Sequence, residues 1–250
     1  MRKPILAANW KMHKTTGEAE AFVDQFLPLV ADATADVVLA PAFGALHCVG
    51  KAVGGSNVAL AAQNVNPEPK GAFTGEISPG MLVDLGCQYA IVGHSERRAL
   101  YGETSDFVAS KARALLAAGI RAIVCVGETD AEREAGRVED VVGGQLSGSL
   151  AGLEAGQSGE IVVAYEPVWA IGTGKTATPE MAQEVHGFIR AELGKLFGDG
   201  GNSIRIQYGG SVKPENVAEL MAQPDIDGGL VGGASLEPDS FASIVHFDRA

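Results

Sequence analysis

Cysteine is scarce: the 250-residue chain has three, Cys48, Cys87 and Cys125. An odd number cannot pair fully within one chain, and none sits in a Cys-x-x-Cys spacing. A disulfide framework is therefore not expected, and a reduced, cytoplasmic setting fits. The five histidines, at 13, 47, 94, 186 and 246, show no His-Glu-x-x-His or clustered Cys/His spacing, so no metal is expected. Positive charge is also short. Nineteen Lys and Arg against 31 Asp and Glu leave a net charge of −12, which argues against a nucleic-acid or anionic-membrane surface. No apolar run approaches the ~18 residues of a membrane span. The opening MRKPILAANWKMHK breaks at Asn9, Trp10 and Lys11, too early for a signal peptide. What remains reads as a soluble, acidic, glycine-rich globule. A chain of this length buries roughly 70–75% of its unfolded surface and needs no staple.

Short β-branched runs recur along the whole length. Strands are expected near Ile5–Trp10, Val37–Ala40, Ala59–Gln63, Tyr89–Val92, Ala122–Val126, Ile161–Tyr165, Ile204–Tyr208 and Gly228–Val231. Most are continuously apolar, as parallel strands covered on both faces should be. Amphipathic helices lie between them. Ala19, Phe22, Val23, Phe26, Leu27 and Val30 share one face at steps of three and four. Met181, Val185, Phe188, Ile189, Leu193 and Leu196 form a second stripe, with Thr178 as N-cap and Pro179 as first helical residue. Later helices are expected near Lys213-Pro214 and Pro238. About eight strand–helix units in about 250 residues predict a closed (β/α)8 barrel in the α/β class, with a doubly wound open sheet as its rival. No linker or charge block divides the chain, so one domain over residues 1–250 is expected.

In such a barrel chemistry sits on the loops after the C-terminal strand ends. Those positions here are Asn9-Trp10-Lys11, Gly93-His94-Ser95-Glu96, Glu166-Pro167, Gly209-Gly210-Ser211 and Gly232-Gly233-Ala234. Lys11 alone reads equally as a solvated surface cation. Glu166 follows the apolar IVVAY and precedes Pro167, which favours extended backbone. A carboxylate there is costly to desolvate unless the cost serves a base of raised pKa. His94 is a capping or core histidine, or an imidazole that a helix start keeps neutral as a hydrogen-bond donor. The two late glycine clusters are tight turns, or expose backbone N–H groups to an anion. Two other motifs fail. GTGKT lacks the glycine five residues before Gly174, where Trp169 stands, and Gly-x-Gly-x-x-Ala does not end a strand directly. A Schiff-base aldolase would need a lysine at a central strand end. The sixth strand offers Glu166 instead. A barrel that only binds sugar phosphates would have no use for a base.

The motifs NWKM, AQN, GAFTGE, GHSERR, CVGET, AYEPVWAIGTGKTAT, YGGSV and LVGGASL span nearly the whole chain in order. With them the sequence resembles the triosephosphate isomerase family. The resemblance implies interconversion of dihydroxyacetone phosphate and D-glyceraldehyde 3-phosphate with no cofactor. It implies Glu166 as base, His94 as electrophile and Lys11 as an electrostatic and phosphate-side contact. Asn9 would be the partner of Lys11 and of a substrate oxygen, and Gly172, Ser211, Gly232 and Gly233 backbone phosphate donors. Ser95 would hold the base in its unliganded position, and Glu96 would be a buried carboxylate supporting Lys11. Residues 167–169 and 175–177 would be hinges of a lid with its tip at 170–174, latched by Tyr208 and Ser211. The aperiodic stretch Asn64–Ser78, with Phe73 near its tip, would enter a second identical subunit and bring Thr74 to that subunit's Asn9–Lys11 region. Two departures from the family pattern are His13, where asparagine is usual, and Gln207, where leucine is common.

Overall fold

The computed structural model describes residues 2–171 and 176–249. Eight strands form one closed, wholly parallel barrel in chain order: β1 (Ile5–Asn9), β2 (Asp36–Ala40), β3 (Val58–Ala62), β4 (Tyr89–Val92), β5 (Arg121–Val126), β6 (Ile161–Tyr165), β7 (Arg205–Tyr208) and β8 (Gly228–Val231). Among the described residues ten α-helices surround it: α1 (Thr16–Leu29), α2 (Leu46–Val53), α3 (Pro79–Asp84), α4 (Ser95–Tyr101), α5 (Ser105–Ala117), α6 (Asp130–Glu134), α7 (Val138–Ser149), α8 (Pro179–Phe197), α9 (Val217–Met221) and α10 (Pro238–Val245). Pairing of β8 with β1, from Ile5 opposite Gly228 to Ala8 opposite Val231, removes the open-sheet alternative. That closure is tight. A Cβ on residue 228 would fall 1.9 Å from the Ile5 carbonyl oxygen, so only glycine lets the last strand approach the first.

Alternation along the strands makes two cores. Ile5, Ala7, Val38, Ala40, Ile123 and Ala164 belong to the barrel interior, where large and small side chains together fill the narrow space eight strands enclose. Leu6, Ala8 and Trp10 face outward and pack with Phe22, Phe26 and the other helix stripes. Thr178 accepts the Met181 N–H and Pro179 opens α8, as its sequence signals predict. Two expectations are corrected. Lys213-Pro214 begins a turn, and the helix starts only at Val217. On α8, Leu196 is exposed and Phe197 takes the core position, because the stripe ends one residue later than its spacing suggested. No helix of the described residues is long and apolar enough to cross a membrane.

Candidate active site

The C-terminal strand ends converge on a cleft of about 380 Å3 lined by Asn9, Lys11, His94, Glu166, Ser211, Gly232 and Gly233, among others. Those seven are the described residues among the expected base, electrophile, cation and substrate contacts; Ser95, Glu96 and Tyr208 do not line the cleft. Gly172 and Lys175, with most of the expected lid tip, fall outside the described residues.

Lys11 is fixed from both sides. At the end of β1 the Asn9 Oδ1 accepts the Lys11 N–H at 3.0 Å, holding the lysine at φ +51°. That left-handed conformation costs an L-residue on the order of 1 kcal/mol. Gln63 supplies the opposing restraint by donating its Nε2 to the carbonyls of Lys11 and Ala40 at 2.8 and 2.9 Å. The Lys11 Nζ pairs with Glu96 Oε1 at 2.5 Å. Glu96 is not the buried carboxylate expected of it: 43% of its side chain is exposed in the single chain.

His94 caps α4, its Nδ1 accepting the Glu96 N–H at 3.2 Å. Protonating Nδ1 would break that bond, so the single proton of a neutral ring sits on Nε2. From there it is donated to Glu166 Oε1 at 2.8 Å. Burial opposes the imidazolium, but Glu166 and then Glu96 outweigh burial and set the His94 pKa above its ordinary value. The nearby carboxylates thus act against the neutral ring that a helix start favours.

Glu166 is 2% exposed. Its Oε2 accepts the Ser95 N–H at 2.8 Å, so Ser95 does hold the carboxylate, through its backbone. Burial alone would raise the pKa of Glu166. His94, the Ser95 N–H and Lys11 together hold it below the ordinary carboxylate range. The raised pKa expected from the sequence is therefore not a property of this arrangement. Beside it, the Cys125 thiol is wholly buried and its pKa well raised, first by burial and then by the Glu166 carboxylate. A thiol so shifted carries little thiolate and is unreactive.

The glycine arm and the cation are close neighbours. A Cβ on Gly232 would lie 3.5 Å from Lys11 Cε. The Gly232 and Gly233 carbonyls are spent on the turn at Gly233–Ser235, accepting the Ser235 and Leu236 N–H groups. Three residues escape a sequence reading. Gln63 braces Lys11. Buried Glu128 gathers Tyr165, Trp169 and Arg133 at 2.8–3.1 Å. Gln145 grips Gly127. Each acts from another element, and only the AQN and CVGET motifs draw attention to the first two.

Fold and cleft together define a (β/α)8-barrel protein with a carboxylate, an imidazole and a cation gathered in one cleft at the C-terminal strand ends. The chain matches the Triosephosphate isomerase family over residues 4–248. It is 59% identical over 249 residues to a triosephosphate isomerase of Moorella thermoacetica, covering 100% of both chains. It is 57% identical to one of Roseiflexus sp., covering 99% of this chain and 98% of the relative, and 55% identical to one of Geobacter metallireducens, covering 99% of each. The chain belongs to the triosephosphate isomerase family.

Proposed function

We propose that Glu166 is the base, His94 the electrophile and Lys11 the cationic partner in the isomerisation of triose phosphate. As a member of its family the protein is an isomerase of triose phosphates. In our reading Glu166 removes a proton from the carbon beside the carbonyl of dihydroxyacetone phosphate. It returns that proton to the neighbouring carbon to give D-glyceraldehyde 3-phosphate. The enediolate between them carries charge on oxygen, opposite the His94 Nε2–H and the Lys11 ammonium. Asn9 contributes a substrate contact, and the backbone of Ser211, Gly232 and Gly233 takes the phosphate, with Gly172 completing the set by resemblance. A carboxylate and fixed dipoles supply all the chemistry, so no cofactor is invoked.

One observation carries this reading: the 2.8 Å contact of His94 Nε2 with Glu166 Oε1, in the cleft that holds Lys11. A substrate carbonyl that takes the His94 proton donor must displace Glu166 from it. The carboxylate then loses the partner that lowers its pKa most, while burial persists, and its basicity rises when substrate is in place. A net charge of −12 opposes an anionic substrate only weakly, because screening confines repulsion to about 8 Å at physiological salt. A coupled isomerase assay on purified protein with glyceraldehyde 3-phosphate tests the reading. Turnover that Glu166→Gln abolishes is expected, and full turnover by that variant would refute the assignment of the base.

The same reading takes the barrel over residues 1–250 as one domain, acting in the cytoplasm as a two-fold homodimer joined through Asn64–Ser78. That loop is pinned at its base. The Asn66 N–H donates to the Ile77 carbonyl at 2.8 Å, and Asn64 Oδ1 accepts buried Lys111 Nζ at 2.7 Å. Its tip leaves Phe73 45% exposed. Met12, Met81, Val83, Leu100 and Tyr101, also exposed, lie on segments following β1, β3 and β4, as an apolar face on one half of the barrel requires.

A further inference from the structure

Strand β5 outlives one of its neighbours. Its last pair with β4 is Val124 opposite Val92, where β4 ends. On the β6 side the ladder runs on past both strand ends. The Glu166 N–H donates to the Val126 carbonyl at 2.8 Å and the Val168 N–H to that of Glu128 at 3.1 Å. Backbone groups of successive residues in an extended chain point to opposite sides. Cys125 and Gly127 therefore turn theirs toward the place β4 has left. Two side chains meet them there. Arg98 Nη2 donates to the Cys125 carbonyl at 3.1 Å. Gln145, on α7, takes both groups of Gly127: its Oε1 accepts the N–H at 2.8 Å and its Nε2 donates to the carbonyl at 3.0 Å. A primary amide used this way copies one peptide unit of the missing strand.

Gly127 also presses on the base. A Cβ there would fall 1.8 Å from the Glu166 carbonyl oxygen, so the two backbones are in direct contact and a shift in one displaces the other. We propose that Gln145 is a positioning residue for Glu166: by gripping Gly127 it fixes the backbone on which the base is mounted. This rests on the reading of Glu166 as base. A cavity of about 240 Å3, lined by Gly127, Gln145, Ser95, Arg98, Glu166 and Val168 among others, adjoins the clamp. Without the amide, water entering there can satisfy Gly127, so the fold survives while the register of residues 126–128 loosens.

Displacement of a reacting group by roughly 1 Å costs about a hundredfold in rate, and a loosened base should cost part of that. The test compares Gln145→Met, which keeps length but neither bond, with Gln145→Glu, which keeps the acceptor and loses the donor. Val142→Ala, buried on the same helix, controls for loss of stability. The expected result is kcat at least about tenfold lower in Gln145→Met with KM within about twofold, Gln145→Glu falling between it and wild type. The deuterium isotope effect on proton abstraction should rise, because a misplaced base slows that step. Val142→Ala should lower Tm and leave kcat and the isotope effect unchanged. Wild-type kcat in Gln145→Met, or an equal loss in Val142→Ala, overturns the clamp. Should Gln145→Met not fold, unchanged kcat in Gln145→Glu overturns it. If Glu166→Gln keeps its turnover, the base assignment fails and the clamp falls with it. Loss in Glu166→Gln beside wild-type behaviour in the Gln145 variants overturns the clamp alone.

Discussion

Mild acid should weaken this protein through one histidine outside the cleft. His186, on α8, is wholly buried, with Nδ1 3.1 Å from the carbonyl oxygen of Asp225. A carbonyl can only accept, so Nδ1 carries the proton and Nε2 is the nitrogen left to titrate. Nε2 has no hydrogen-bond partner and lies in a ring cluster with Tyr165 and Tyr208, whose centroids are 5.7 and 6.2 Å away. Burial, reinforced by Arg190 and opposed by Asp225, pushes the pKa from 6.5 to about 4. The unfolded chain therefore binds this proton more readily than the folded one between those two values. Stability from this site is complete above pH 6.5 and is lost as pH falls. The loss is about 2 kcal/mol by pH 5 and levels off near about 3 kcal/mol below pH 4. His186→Asn offers the Asp225 carbonyl an amide donor and has no group to titrate. Urea unfolding of both proteins from pH 7 to 4.5 should show wild type losing about 2 kcal/mol more than the variant over that range. Parallel pH dependences would refute the assignment, whatever the variant's absolute stability.

Three further outcomes are expected. Glu166→Asp retracts the carboxylate by one methylene and should lower kcat about a hundredfold with KM little changed; full turnover where chemistry is rate-limiting would remove Glu166 from its role. Gln207 lies wholly buried, its Nε2 3.2 and 3.3 Å from the carbonyls of Ile5 and Gly229 and its Oε1 unpartnered. Gln207→Leu removes that orphaned acceptor and should stabilise the barrel by about 1 kcal/mol, raising Tm by roughly 2–4 °C with kcat unchanged; a lower Tm would mean the two weak donor contacts dominate. Charged residues at Phe73 and Thr74 should give monomers by sedimentation, with activity falling in step with dimer content; a fully active monomer would break the link between assembly and the Lys11 loop.

The strands were legible to within a residue because burial on both faces leaves an unbroken apolar run, and such runs end where the cover ends. Helix starts were less uniform. Pro179 and Pro238 each open a helix, whereas Pro214 opens a turn three residues ahead of one. Proline suits both settings, and only the tertiary path of residues 213–217 decides between them. The register of the α8 stripe slipped at its end for a related reason. Leu196 and Phe197 are both apolar, and the neighbouring surface, absent from any local pattern, selects Phe197. Gln63 and Gln145 were illegible because each serves backbone groups distant in sequence, at Ala40 and Gly127.

Glu166 shows the deeper limit. A carboxylate closing an apolar strand announces that ionisation is costly there, and such a cost by itself predicts a raised pKa. Burial does act in that direction, but His94, the Ser95 N–H and Lys11 reverse it in the arrangement seen. These partners come from the segments that follow β1 and β4, over 70 residues away along the chain. No local pattern could have joined them. The reversal has a consequence for reactivity. A permanently raised pKa would leave much of the enzyme protonated and idle before substrate arrives, whereas a lowered one keeps the carboxylate ionised. In the proposed mechanism basicity is then gained when a carbonyl competes for the His94 Nε2–H, since burial remains and the strongest opposing influence is withdrawn. Replacing His94 with a residue that cannot donate should therefore do two things. It should slow turnover by removing the proposed electrophile, and it should move the acid limb of kcat/KM to higher pH, because Glu166 in the free enzyme loses the partner that lowers its pKa most. A slowed His94→Leu variant with an unmoved acid limb would show that Ser95 and Lys11 alone hold the carboxylate ionised, and that basicity is not gained by exchange of the His94 hydrogen bond.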